Sequence, residues 1–180
     1  HSVDEILEAI CKETGIYMKS VWKATADLAP FPSLDSDRRT QVLVIGGGIA
    51  GILTAYCLKE SGIDCILAEK NRICSGVTEN TTAKITFQHG LIYNKLLDKK
   101  GESIAQGYLL SNKLAFEKLC SLCENADCDF EIKNNYIYSV FNRDILEKEM
   151  SALEKIGYSP LLVSDLPLPF ASAGAVCFPN

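Results

Sequence analysis

The segment "QVLVIGGGIAGILTAYCLKESGIDCILAEK", residues 41–70, restricts the fold more than any other part of the chain. Gly46, Gly47 and Gly48 are adjacent, and Gly51 follows three places on. Residues 41–45, "QVLVI", are a short apolar run rich in β-branched side chains, the pattern of a buried strand. Residues 49–61 then place Ile49, Leu53, Tyr56 and Cys57 at helical spacing, and Gly62 is a stop. Residues 63–69, "IDCILAE", read as a second strand. Strand, turn, helix and strand within about 30 residues predict a parallel βαβ unit.

The turn has a chemistry of its own. Gly46, Gly48 and Gly51 fit G-x-G-x-x-G, a pattern that means little alone and much more between a strand and a helix. Gly46 permits a tight turn, Gly48 lets the backbone approach a pyrophosphate, and Gly51 lets helix and strand pack closely. Ile49 and Ala50 open the helix, whose free N–H groups and positive dipole end favour phosphate. Glu69 ends the second strand, where a carboxylate can accept hydrogen bonds from both hydroxyls of an adenosine ribose. The same charge repels a 2′-phosphate and so disfavours NADP. A plain glycine-rich turn beside a surface glutamate is the lesser reading, because every element is in register. FAD and NAD both use this fingerprint, and the motif leaves the choice open.

The rest of the chain is less regular. Residues 2–13 carry Val3, Ile6, Leu7 and Ile10 on one helical face behind a Ser2/Glu5 capping box. Met18 opens a loop-like stretch containing Pro30 and Pro32, and residues 1–17 read as an extension of unknown origin. Residues 71–89 are polar and irregular, as functional loops often are. Helices are expected at 91–99 and 102–126, the second with a stripe of Ile104, Tyr108, Ala115, Leu119 and Leu122. Residues 129–141 suggest two strands about an Asn134-Asn135 turn, followed by a helix at 143–156 closed by Gly157. The tail, with Pro167, Pro169 and Pro179, shows no regular pattern and no closing element.

A net charge of -5 argues against nucleic acid or an anionic membrane as the main partner. No run of about 18 uncharged apolar residues occurs, and the N-terminus lacks a secretory pattern, so a cytoplasmic protein is expected. Eight cysteines within apolar, patterned segments read as reduced thiols. Cys120, Cys123 and Cys128 form C-x2-C-x4-C, but a fourth ligand is missing nearby and the only histidines are His1 and His89. No metal site is expected.

From residue 42 onward, "VLVIGGGIAGILTAYCLKESGIDCILAEKNRICSGVTENTTAKIT" resembles the N-terminal end of flavoproteins of the D-amino-acid-oxidase/glycine-oxidase superfamily. "ICSGVTENTTAKITFQHGLIY" and a lead-in at Trp22 and Pro32–Leu34 resemble, more narrowly, its FAD-dependent oxidoreductases with a C-terminal Rieske iron–sulfur domain. The resemblance implies FAD as the cofactor and a small-molecule substrate, an amine or amino-acid-like compound, oxidised by hydride transfer to the flavin. It implies that Lys70, Arg72, Ser75 and Gly76 lie near ribose and pyrophosphate, and that Thr81, Thr82 and Ala83 approach the flavin ring. Local turn-making is the competing role for each.

The expected fold is α/β, a Rossmann-like FAD-binding βαβ unit with the start of an antiparallel α+β substrate domain. Residues 18–128 form the first region, with a helical insertion, and 129–180 the second. The family's later returns to the FAD domain and the Rieske ligands are absent, so the chain is expected to be the front part of a longer flavoprotein, with poor retention of FAD on its own. An NAD-binding dehydrogenase and a non-catalytic fragment are the alternatives. His89, Lys84 and Cys74 are weak candidates for chemistry, each better explained as surface or packing, and no catalytic residue is assigned.

Overall fold

A computed structural model describes residues 20–26 and 28–179. The helix expected at 2–13 and the extension at 1–17 lie outside the described residues. The chain divides into two compact units, residues 1–83 and 84–180.

The first described element of the first unit is helix α1 (Val21–Thr25), five residues inside a stretch expected to be loop. Strand β1 (Val42–Ile45), helix α2 (Ile49–Glu60) and strand β2 (Cys65–Ala68) follow where the sequence places them. The strands pair in parallel, Val42 opposite Cys65 through Ile45 opposite Ala68, with the helix as crossover. Gly62, at φ +71°, ends α2: its N–H meets the Lys59 carbonyl, and the Ile63 N–H reaches back to the Leu58 carbonyl at 2.9 Å.

The expected stripe on α2 is corrected. Ile49, Tyr56 and Cys57 are exposed, whereas Leu53 of that stripe is partly buried together with Gly51, Ile52, Ala55 and Leu58. Small residues let the helix lie close to β2: the Cys65 thiol sits 3.7 Å from the Ala55 carbonyl oxygen, and the backbone of Gly51 stands over Leu67. Large apolar side chains at this surface would hold the helix away.

The second unit holds helix α3 (Tyr93–Lys100), helix α4 (Glu102–Glu124), strand β3 (Asn135–Ser139), helix α5 (Asp144–Lys155), strand β4 (Leu161–Val163) and strand β5 (Gly174–Phe178). The strands form an antiparallel sheet in the order β3-β5-β4. The hairpin expected at 129–141 is not formed: residues 129–134 are not strand, and β3 pairs instead with β5. The tail therefore contains the central strand of the sheet. Its prolines bracket β5 and leave "GAVCF" free to donate to both neighbours.

All five residues of β5 are buried. Phe87, Tyr93, Leu109, Leu146, Leu153, Ile156, Val176 and Phe178 make the core around it. Phe87 is its hub, edge-on to Phe116, Tyr158 and Phe178 at 5.4–5.6 Å between ring centres. Helix α4 buries Ala105, Leu109 and Cys120, while Ile104 and Ala115 of the expected stripe are exposed, a rotation of about one residue. Beneath α3 lies Glu149, with no solvent exposure, accepting the Tyr93 and Asn94 N–H groups at 2.8 Å each. It caps a helix start that has no side-chain cap of its own.

Candidate functional site

The turn between β1 and α2 is shaped by close approach. Gly46 takes φ +105°, and its N–H extends the parallel ladder to the Ala68 carbonyl at 2.8 Å. A Cβ on Gly51 would overlap the Gly46 carbonyl oxygen, a backbone atom that cannot move aside, so only glycine fits. Gly48 caps α2 in an extended conformation, and a Cβ there would stand 3.2 Å from the Thr78 hydroxyl. Gly47 is also confined: a Cβ would meet Glu69 and Ile73 at 3.0 Å.

Glu69 lies across this turn. Its Oε2 accepts the Gly47 N–H at 2.7 Å, and its Oε1 accepts the Asn71 N–H at 2.9 Å. The Gly47 bond, then the Asn71 bond, lowers its carboxyl below the ordinary 4.5, so it is ionised at neutral pH. Thr78 completes the arrangement, its Oγ1 accepting the Ile49 N–H at the first turn of α2 at 3.0 Å. The start of a helix, the Gly47 and Ile49 N–H groups and a carboxylate thus converge. The donors suit an anion and the carboxylate suits hydroxyl donors.

The loop after β2 returns to the turn through Cys74, at φ 60°, whose N–H meets the Gly47 carbonyl at 2.7 Å. Of the residues expected near the cofactor, Gly46, Gly48, Ile49, Gly51 and Glu69 come together here, with Ala50 exposed behind Ile49. The others are spread along the loop and engaged locally. Lys70 is exposed beside Glu69, and Arg72 pairs with Glu79 at 2.9 Å. The Ser75 hydroxyl donates to the Arg72 carbonyl at 2.6 Å, and the Gly76 carbonyl accepts from the Asn80 amide at 2.7 Å. Thr81 Oγ1 accepts the Ala83 N–H at 2.7 Å, Ala83 has φ 53°, and Thr82 is exposed.

The motif reading omits Gly47 and Thr78. Three consecutive glycines hinted at the first. The second had no local signal, since its position depends on how the loop folds back. His89 is exposed with Nδ1 3.0 Å from the Tyr108 hydroxyl, and Lys84 is exposed. Burial raises the thiol pKa values of Cys120 and Cys123, which keeps them protonated and poorly nucleophilic. Among the described residues no group of three or more His, Cys, Asp or Glu is placed to hold a metal. No described helix is long and apolar enough to cross a membrane.

The glycine turn, β3 and β4 fall within one stretch of similarity. A Rieske 2Fe-2S iron–sulfur protein, so named provisionally (YhfW of Bacillus subtilis), is 35% identical over 167 residues, 90% of this chain and 33% of that protein. The chain thus spans about a third of that relative's length. The FAD-dependent monooxygenase cdmI of Talaromyces verruculosus is 42% identical over 40 residues, 22% of this chain and 8% of that protein. No solved structure matches the chain significantly. Residues 41–172, from the residue before β1 to the approach to β5, match the family described as FAD dependent oxidoreductase, the D-amino-acid-oxidase group suggested by the glycine turn and the loop after it. The chain belongs to that family, whose cofactor is FAD.

Proposed function

We propose that this chain is the FAD-binding portion of a flavin-dependent oxidoreductase acting on an amine, an amino-acid-like compound or another small molecule. The observation that carries the reading is the ionised Glu69 carboxylate seated on the Gly47 N–H beside the first turn of α2. A Rossmann-like cradle needs those parts together: a turn without side chains, a helix start and an acceptor for ribose.

Gly46, Gly48 and Gly51 keep the turn tight and bare, which suits close approach by a pyrophosphate. The Gly47 and Ile49 N–H groups, held here by Glu69 and Thr78, are donors that phosphate oxygens can take over. Glu69 then has Oε2 free for a ribose hydroxyl, while Oε1 stays on the Asn71 N–H, and its charge excludes a 2′-phosphate. The loop residues Lys70, Arg72, Ser75, Gly76, Thr81, Thr82 and Ala83 flank the remainder of the cofactor. When bound, FAD supplies the two-electron oxidation of a substrate C–N or C–H bond. No catalytic side chain is proposed.

Residues 18–128 serve the cofactor and 129–180 begin the substrate domain in this reading, a functional division set later than the boundary between compact units at 83/84. The similarity to YhfW supports a Rieske [2Fe-2S] domain in the parent protein. Glu69→Ala tests the assignment. FAD affinity, followed by flavin fluorescence, is expected to fall roughly 10- to 100-fold, the worth of hydrogen bonds to a charged group. Unchanged affinity would remove Glu69 from the site.

A further inference from the structure

The loop after β2 has little internal structure to hold it. One 3-10 turn, Thr78–Asn80, is its only regular element, and Cys74, Gly76 and Ala83 all take positive φ. Val77 is 87% exposed, so the loop is not anchored by burying its apolar side chain. Strained and solvent-facing backbone of this kind populates other conformations unless neighbours restrain it.

A restraint comes from helix α1 and Ser20 just before it, which precede the dinucleotide unit in sequence and make three contacts with the loop, two at Glu79 and one at Thr81. The Ser20 hydroxyl donates to the Glu79 carbonyl. The Trp22 indole N–H donates to the Thr81 carbonyl at 2.8 Å. The Lys23 ammonium stands 3.6 Å from the Glu79 carboxylate, which Arg72 holds from the other side at 2.9 Å. The Glu79 side chain is only 13% exposed, so two cations share an acid largely withdrawn from water. Thr78, within the same turn, reaches the first N–H of α2.

We infer that α1 is a brace for the cofactor loop and that Trp22 is a positioning residue for FAD, acting through the Thr81 carbonyl rather than by touching the ligand. This rests on the proposed role of residues 72–83. Trp22 carries more of the effect than Lys23, because its hydrogen bond has fixed geometry while the ammonium is 53% exposed and screened. The brace acts on affinity by raising the fraction of protein whose loop is already in the binding conformation. Apparent affinity falls in proportion when that fraction drops. ADP, held by the glycine turn and Glu69, does not need the loop beyond Gly76 and is insensitive to the brace.

The test compares FAD and ADP binding in the protein and its Trp22→Ala, Trp22→Phe and Ser20→Ala variants, by calorimetry and flavin fluorescence. Trp22→Ala is expected to weaken FAD about tenfold and leave ADP within about twofold; Trp22→Phe and Ser20→Ala, each losing one hydrogen bond, are expected to weaken FAD about threefold. Equal loss of FAD and ADP would mean general destabilisation and overturn the inference. So would unchanged FAD affinity in all three variants while the parent binds FAD. Failure of the parent to bind FAD would instead overturn the cofactor reading, and the brace with it.

Discussion

Two carboxylates in this chain make the same bonds and do different work. Glu69 accepts two backbone N–H groups at a turn of the first unit, and Glu149 accepts two at a helix start of the second. The distances are alike, 2.7 and 2.9 Å against 2.8 and 2.8 Å. Their surroundings differ. Glu149 has no exposure, so loss of solvent raises its pKa despite the N–H donors. Glu69 keeps contact with water, and the same kind of bond lowers its pKa. A sealed carboxylate is a structural cap, while an open one can exchange its partners for a ligand. Hydrogen-bond geometry alone does not separate the two.

Removing each side chain should separate them cleanly. Glu149→Ala leaves the buried Tyr93 N–H and the half-buried Asn94 N–H without acceptors and opens a void, so a loss of about 3–5 kcal/mol in unfolding free energy is expected by chemical denaturation. A loss below about 1 kcal/mol would mean that water reaches those groups. Glu69→Ala should behave oppositely, with its large effect on FAD affinity and a much smaller effect on unfolding than Glu149→Ala, because water can reach the N–H groups it leaves.

A smaller effect lies in pH dependence, where the two acids have opposite signs. The raised pKa of Glu149 means the folded state holds its proton more firmly than the unfolded chain. Its contribution is most favourable below the ordinary 4.5 and declines as pH rises through the folded value. The lowered pKa of Glu69 gives a contribution present above 4.5 and lost as pH falls through the folded value. In melts from about pH 3 to about pH 8, Glu149→Gln should remove a falling component and Glu69→Gln a rising one. The same sign for both would contradict the difference in burial.

The contrast also explains what the sequence could show. The glycine turn, α2 and Glu69 were legible because their constraints are local: a missing side chain, a strand before, a helix after. Strand β5 was not, because its partner β3 lies far back in the chain and the flanking prolines suggested irregular structure. Glu149 carries no local signal in the sequence, because its burial depends on α3 packing above it. The face of α2 is only partly legible because Gly51 and Ala55, which set the close approach to β2, do not stand out in an apolar stripe. Helix α1 is too short to show periodicity, and Thr78 reaches the turn only through the folding of its loop.

The most direct test of the central claim, that the turn over which Glu69 lies is the ADP grip of a flavin site, is parallel titration of the protein with FAD and with NAD. Saturable FAD binding with a shift of the flavin absorption bands, lost in Glu69→Ala, and no comparable affinity for NAD is the expected result. Tight binding of NAD with no binding of FAD would contradict it.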